Sequence, residues 1–590
     1  MSQKAKQTSL KGSASTFFKV LKYLEKYRFL FILSLLFTAF SVALTLYVPI
    51  LVGRAIDLAV SKNNVDMSGI FAILLKIGIS VGITALLTWL VNVLSNKMVY
   101  GIVRNVRHQA FARIQQMPVS FIDAHRSGDI VSRLIADSDQ FSDGLLMGFT
   151  QFCNGVMTII GTLIFMLFIS PPVALIVVFV TPLSLFVAAF IAKKTYSMFK
   201  KQSEIRSEQT ALIDEMVGEH KTVVAFGHAD EAIKSFDEIN DRLSKISLKA
   251  IFFSSTTNPS TRFVNSIVYA LVAFTGAMIC IFGGSAISPG SLTSFLSYAT
   301  QYTKPFNEIS GVVTELQNAL ACANRVFELI ESPVESPDAE CTSKIQDSTV
   351  EFKNVSFSYS PDKPLITNFS FKAESGKHIA IVGPTGCGKT TLINLLMRFY
   401  DINEGAILLG GKDIRDIPRN ELRNYYGMVL QDTWLSDGTI KENIAFANPD
   451  ATDDEIVAAA KAAHAHSFIK KLPYGYDTPI GEGGGALSQG QKQLLCIARI
   501  MMTNPEILIL DEATSSIDTR TEMRIQKAFS KLMKGKTAFI VAHRLSTIKE
   551  SDVILVMKDG NVIEQGNHEQ LLSANGFYSK LYNSQFPDAD

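Results

Sequence analysis

The sequence predicts a multi-domain chain: an all-α polytopic membrane domain of six transmembrane helices, followed by an α/β domain. Three observations carry this. Charge-free apolar stretches long enough to cross a bilayer are confined to about the first 325 residues. A polar, proline-bearing segment then interrupts the chain, and beyond it short β-branched runs alternate with helical ones. With 590 residues, 47% of them apolar and 19% charged, the chain is too long for one domain and too apolar for a disordered or disulfide-scaffold protein. Lys and Arg (56) nearly balance Asp and Glu (55), so no global basic field favours nucleic acid as a partner. Six cysteines without a Cys-x-x-Cys pair fit neither a structural zinc site nor a disulfide framework.

The elements of the first domain follow in order. Residues 1–28 form an N-terminal segment rich in cations (Lys4, Lys6, Lys11, Lys19, Lys22, Lys26, Arg28). Phe29–Gly53 and Ile77–Asn96 carry no charge, and ~20 helical residues at ~1.5 Å rise cross a hydrocarbon core of ~30 Å. Gly144–Ala192 is more than twice that long, and Pro171-Pro172 near its middle divides it into two spans. Phe263–Thr303 repeats the pattern, broken at Gly283-Gly284 and Pro289-Gly290. Six spans result, in a membrane domain over residues 29–325. The first apolar run is too long for a signal-peptide core. Further basic residues collect between spans two and three (Arg104, Arg107, Arg113, Arg126, Arg133) and between spans four and five (Lys193, Lys194, Lys200, Lys201, Arg206), whereas the turns after spans three and five are uncharged. The N-terminus, both long inner loops and the C-terminal domain are therefore expected on the cytoplasmic side of the cell membrane. Around Tyr100–Gln116 and Tyr196–Val223 apolar residues recur at helical spacing, so the spans are expected to continue as helices beyond the bilayer. Pro118 and Gly128 bracket an expected crosswise helix, Ser120–Ala136, and a second is expected at Ser207–Val217.

Residues 326–349 are expected to be a linker, residues 350–585 the α/β domain and 586–590 a tail. Ile379–Val382 reads as a buried strand, followed by Gly383-Pro384-Thr385-Gly386-Cys387-Gly388-Lys389-Thr390 and a helical run that opens at Thr391. This is G-x-x-x-x-G-K-[ST] in its strand–loop–helix setting. The glycines let backbone N–H groups wrap phosphate oxygens, and the helix N-terminus adds partial positive charge. Lys389 can reach the β- and γ-phosphates, and the Thr390 hydroxyl can ligate Mg²⁺. Downstream, Ile507-Leu508-Ile509-Leu510-Asp511-Glu512 is an apolar strand ending in two carboxylates, one suited to a metal shell and one to polarising water. ATP and Mg²⁺ are the expected cofactors.

Leu487-Ser488-Gln489-Gly490-Gln491, ahead of a helical run and the acid-ended strand, resembles the signature motif of ATP-binding cassette (ABC) proteins. Tyr359 matches the family's adenine-stacking aromatic, Gln431 its Q-loop glutamine, Glu482 the exporter X-loop acid, Ser515-Ser516-Ile517-Asp518 the D-loop, and His543 the switch histidine. Six spans fused ahead of one cassette resemble a half-transporter of the ABC exporter class, over about residues 15–585. The resemblance implies a P-loop NTPase fold for the second domain, with Glu512, His543 and Lys389 catalytic. It implies nucleotide contacts from Tyr359, from Gly383, Pro384, Thr385, Gly386, Cys387, Gly388, Lys389, Thr390 and Thr391, from Gln431, Asp511 and Asp518, and from Ser488, Gly490 and Gln491 across a dimer interface. Thr390, Gln431 and Asp511 are the implied metal ligands.

In this family the signature segment of one cassette closes over ATP held by another, so a single cassette per chain implies a second half-transporter. Gln489 stands where the family usually has glycine, and a side chain there is expected to crowd or reorient the phosphate-facing backbone. Beside intact Glu512 and His543 this resembles the complete chain of a heterodimeric exporter. A heterodimer is favoured and a homodimer stays open. The implied function is ATP-driven export of hydrophobic or amphipathic compounds by alternating access, with a lipid flippase or a nucleotide-gated channel or sensor as alternatives. No charged residue lies within the spans as drawn. Phe-rich spans with Asn92, Asn96, Gln151 and Asn154 suit a bulky amphipathic cargo, and equally suit helices facing lipid. Alkylation of Cys387 is expected to block ATP hydrolysis.

Overall fold

The structure, a computed structural model, describes residues 15–60, 65–282, 288–339, 345, 347–429, 433–481, 485, 487–511, 517–541 and 548–585. It divides into two compact units. One contains the residues up to Gln116 with His125–Ser332; the other contains Met117–Ala124 and the chain from Pro333 onward.

The helices of the first part are α1 (residues 15–25), α2 (Arg28–Val60), α3 (Met67–Ile114), α4 (Val119–Ala124), α5 (Ser127–Leu134), α6 (Ala136–Met147), α7 (Cys153–Ile169), α8 (Pro171–Gly218), α9 (His220–Ala225), α10 (Ala229–Ser255), α11 (Thr257–Phe282) and α12 (Pro289–Ile330). All but α4 belong to the first unit. Helices satisfy every interior backbone polar group within one segment, as a hydrocarbon solvent requires. Among the described residues four helical stretches are long and apolar enough to cross a membrane: Arg28–Ala59, Met67–Ile114, Ser127–Ile169 and Ala229–Phe282. The apolar start of α8, Pro171–Thr181, is shorter, and α12 is not among the four. Hydroxyl residues such as Ser291, Thr293, Ser297 and Thr300 dilute its apolar character. Prolines open both α8 and α12, where a missing N–H has no partner to lose.

Large apolar side chains, among them Phe40, Phe71, Leu75, Trp89, Phe168 and Phe179, stand exposed on these helices, a surface suited to lipid. Inside, Leu46, Met166, Val177, Val272, Phe295 and Tyr298 form one cluster drawn from α2, α7, α8, α11 and α12. Helix α12 packs against α2, α6, α7 and α11, and α8 against α10 and α11. Buried Asp137 of α6 accepts two hydrogen bonds from Arg325 of α12, the one from Nε at 2.6 Å.

The crosswise helices differ from expectation. Ser120–Ala136 is no single helix: α4 and α5 break at His125–Arg126, and α6 begins at Ala136. Ser207–Val217 is the last part of α8, and the short separate helix is α9. Helix α8 continues through Ser207–Val217 and ends at Gly218, a residue of low helix propensity.

The second unit holds strands β1 (Val350–Phe357), β2 (Ile366–Ala373), β3 (His378–Val382), β4 (Glu404–Leu409), β5 (Lys412–Asp413), β6 (Tyr426–Val429), β7 (Gly438–Thr439), β8 (Pro479–Ile480), β9 (Ile507–Asp511), β10 (Thr537–Val541), β11 (Val553–Lys558) and β12 (Asn561–Gly566). The main sheet has the order β12-β11-β3-β10-β9-β6, and β2-β1-β4-β5 forms a second, antiparallel sheet. Helices α13 (Lys389–Leu396), α14 (Arg419–Asn424), α15 (Ile440–Ala445), α16 (Asp453–Ala462), α17 (His466–Ile469), α18 (Gln489–Thr503), α19 (Thr519–Met533), α20 (His568–Ser573) and α21 (Phe577–Gln585) cover them. Alternation along the central strands builds two cores. Ile379, Ile381, Ile507 and Ile509 face a cluster shared with β1, β2, β4 and α13, while Ala380, Val382, Leu508 and Leu510 face one shared with α15–α19. Buried on both faces, these strands read as uninterrupted apolar runs in the sequence. The polar segment after α12 is held in place. Arg419, 5% exposed, donates at 2.7 Å to the Ser336 carbonyl and to the Asp338 carboxylate.

Candidate functional site

Strand β3 delivers the chain into Gly383–Gly388 and then α13. Gly386 (φ +82°) and Gly388 (φ +101°) take conformations that side-chain-bearing residues resist. A Cβ added at Gly383 would lie 2.3 Å from the Met557 carbonyl oxygen of β11, so the loop is seated against the sheet. Gly388 caps α13, whose first N–H groups, at Lys389, Thr390 and Thr391, have no acceptor within the helix. Lys389 Nζ lies over the loop, donating to the carbonyls of Gly383 at 2.8 Å and Pro384 at 3.0 Å. Pro384, Thr385, Gly386 and Thr390 are exposed. Amide N–H groups, an ammonium and a hydroxyl at one helix N-terminus form a donor set that fits a polyphosphate. Cys387 contributes backbone only: its thiol, 4% exposed, points into the core, so alkylation would require the loop to open.

Tyr359 stands beside this loop, 51% exposed. Its hydroxyl donates to Thr391 Oγ1 at 3.1 Å, and its ring meets those of Phe357 and Tyr400 edge-on at 4.9 Å each. The ring thus has fixed neighbours and exposed surface for a flat partner. Tyr400 was not visible as a site residue in the sequence, where no motif marks it. Its phenol donates to the Asp123 carboxylate of α4. Burial, then the bond to Asp123, raises its pKa well above the ordinary phenol value.

Strands β3, β10, β9 and β6 are adjacent and parallel, so their C-terminal ends share one sheet edge. Asp511 closes β9, half-buried, in register with Val541 of β10, which follows Ile540 beside Ala380 of β3. Gln431, Glu512 and His543 come after β6, β9 and β10 in the chain. With Glu482, Ser515 and Ser516 they lie outside the described residues.

The signature segment forms a capping box at α18. Ser488 N–H donates to Gln491 Oε1 at 2.9 Å, and Gln491 N–H donates to Ser488 Oγ at 3.4 Å. As an acceptor in that bond, the Ser488 hydroxyl keeps its own proton to donate. A Cβ on Gly490 would lie 2.4 Å from Thr521 Cγ2 of α19, so glycine here permits close helix packing. Asp518 caps α19, accepting from Thr521 N–H at 2.9 Å, and that bond lowers its pKa. The expectation that Gln489 reorients the backbone is not met within this chain. Gln489 is exposed in the first turn of α18, with no positive φ that would demand glycine.

Residues 31–306 match the family model described as the ABC transporter transmembrane region, and residues 366–515 match the one described as ABC transporter. The chain is 41% identical over 497 residues to the fatty acid ABC transporter ATP-binding/permease protein of Mycobacterium bovis, covering 84% of this chain and 78% of the relative. It is 37% identical over 583 residues to an ABC transporter ATP-binding protein of Bacillus subtilis (98% of this chain, 96% of the relative). It is 35% identical over 488 residues to the ATP-dependent lipid A-core flippase of Vibrio parahaemolyticus (82% and 84%). Apolar membrane helices and a phosphate loop on a parallel sheet edge, joined in one polypeptide with these relatives, make the chain a member of the ABC transporter family: a multi-pass exporter half-transporter that binds ATP and couples its hydrolysis to transport.

Proposed function

We propose that the chain moves hydrophobic or amphipathic compounds, lipids among them, out of the cytoplasmic leaflet of the cell membrane by alternating access. The observation that carries this is the union of one lipid-exposed helical unit with one sheet edge bearing a phosphate loop. The lipid-flippase form of the reading draws support from relatives named for fatty acids and for lipid A-core. We take residues 1–28 as a cytoplasmic segment and 29–325 as a membrane domain in which α2, α3, α7, α8, α11 and α12 provide six spans. Residues 326–349 are then the linker, 350–585 the cytoplasmic cassette and 586–590 the tail.

In this reading Lys389 and the loop amides hold the phosphates, and Tyr359 stacks on the base. Glu512 polarises the attacking water, and His543 steadies the developing charge. Thr390, Asp511 and Gln431 would hold Mg²⁺, which would supply charge neutralisation to the phosphates. Ser488 and the α18 N-terminus donate to nucleotide on a second half-transporter. An altered signature at Gln489 beside an intact Glu512 and His543 favours a heterodimer. In proteoliposomes the assembly purified from its membrane should hydrolyse ATP and move a labelled lipid or lipophilic dye. Lys389→Ala should abolish both, and Glu512→Gln should keep ATP binding while losing roughly 10²-fold or more in turnover. Undiminished turnover in Glu512→Gln would remove that residue from its role, and no hydrolysis by the wild-type assembly would sink the reading.

A further inference from the structure

A cavity of about 430 Å³ lies within the membrane unit, lined by α2, α3, the π-turn Gly148–Phe152, α7 and α12. Its wall is unusual for apolar helices. Only Val42, Leu46 and Val91 are hydrocarbon; the rest are hydroxyls, amides and one carboxylate, Glu308. Glu308 falls just beyond Thr303, where the last uncharged run of the sequence ends.

The hydroxyls share one property. Thr38, Thr45, Thr84 and Thr88 donate to the backbone carbonyls of Ser34, Ser41, Ser80 and Thr84, at 2.8 to 2.9 Å. Thr150 and Thr158 do the same to Leu146 at 2.7 Å and Asn154 at 2.8 Å. Ser41 and Thr88 are 3.3 Å apart. Because the Thr88 proton already points to Thr84, Ser41 is the donor of that pair. All seven lining hydroxyls thus spend their protons on protein oxygens, so that what they have left to offer a cargo is acceptor lone pairs. The amides of Asn92, Gln151, Asn154 and Gln301 offer donors and acceptors in balance. Glu308 adds negative charge, with Lys304 a loose, exposed neighbour at 3.8 Å. Lys304 does not line this cavity.

An acceptor-rich wall with a carboxylate disfavours a headgroup of net negative charge and welcomes N–H donors bearing positive charge. We propose that the cavity selects cargo through a primary ammonium group, carried by a lipid headgroup or by a free amphiphilic amine. This rests on the export reading above and narrows its cargo class.

The test uses the whole assembly in phosphatidylcholine vesicles with tail-labelled lipids. ATP-dependent movement of phosphatidylethanolamine should exceed that of phosphatidylcholine, phosphatidylglycerol or a fatty acid by roughly tenfold, the size of one charge-assisted hydrogen bond. Glu308→Gln and, separately, Thr88→Val should each reduce that ratio toward one, a readout that mere loss of folded protein leaves unmoved. A single-chain primary amine moving faster than the ethanolamine lipid identifies a soluble amphiphile as the source; the reverse identifies the headgroup. Equal movement of all lipids, or preference for the fatty acid or phosphatidylglycerol, overturns the ammonium inference and leaves export intact. Movement of no cargo at all, with or without ATP, overturns both.

Discussion

Replacing Tyr400 by Phe isolates one hydrogen bond between α4 and the wall of the nucleotide site. The ring is kept, so its edge-on packing against Tyr359 and Phe357 persists. What is lost is the donation to Asp123. A hydrogen bond to a charged group contributes about 1.5–3 kcal/mol when shielded, and the solvent-facing position of this one reduces it to about 1 kcal/mol. That is roughly a fivefold change in an equilibrium. If α4 reports cargo occupancy to the cassette through this bond, the ratio of cargo-stimulated to basal ATP hydrolysis should fall roughly fivefold in Tyr400→Phe. ATP affinity, measured by nucleotide titration of the reconstituted assembly, should stay nearly constant. Asp123→Ala should match it, and the double variant should be no worse than either single change. Full stimulation in Tyr400→Phe would refute the coupling role, and a loss confined to ATP affinity would assign the phenol to the nucleotide instead.

Arg325→Leu leaves the Asp137 carboxylate buried without its partner and should destabilise the membrane unit by about 2–3 kcal/mol, discounted because the guanidinium itself is half exposed. Thermal denaturation of the solubilised protein should show the loss, and Arg325→Leu with Asp137→Leu should recover most of it. Gly560→Ala places a Cβ 1.5 Å from the Leu365 carbonyl oxygen at φ +81°, a cost of about 3 kcal/mol or more. Because Gly560 N–H donates to the Cys387 carbonyl at 3.1 Å, ATP affinity should fall with stability. Burial, then Lys549, lowers the pKa of His568 below its ordinary value. The unfolded chain therefore takes up a proton first as pH drops below about 6.5, and stability present above that pH declines until the folded pKa is passed. His568→Gln should flatten the melting temperature over that acid limb, and an unchanged slope would exclude the residue.

The phosphate loop was legible because its chemistry is local: glycine spacing, lysine and the flanking apolar strand lie within a dozen residues. The membrane stretches were legible because a bilayer demands long uncharged runs. Contacts between distant residues left no such trace. Tyr400 and Asp123 are 277 residues apart, and Arg419 reaches back to Ser336. No proline or glycine at His125–Arg126 announces the break between α4 and α5, and Gly218 ends α8 ahead of α9. Gln489 lies in the first turn of α18 without positive φ, so its departure from the family's glycine leaves no mark on this chain's own backbone.

The short stretch Met117–Ala124 sits with residues that are synthesised far later. Cutting the chain anywhere between Ser332 and Val350 would therefore release a cassette without α4. It would leave a raw patch around Tyr400 where a borrowed helix belongs. During synthesis that helix emerges early and has no seat until the cassette is made.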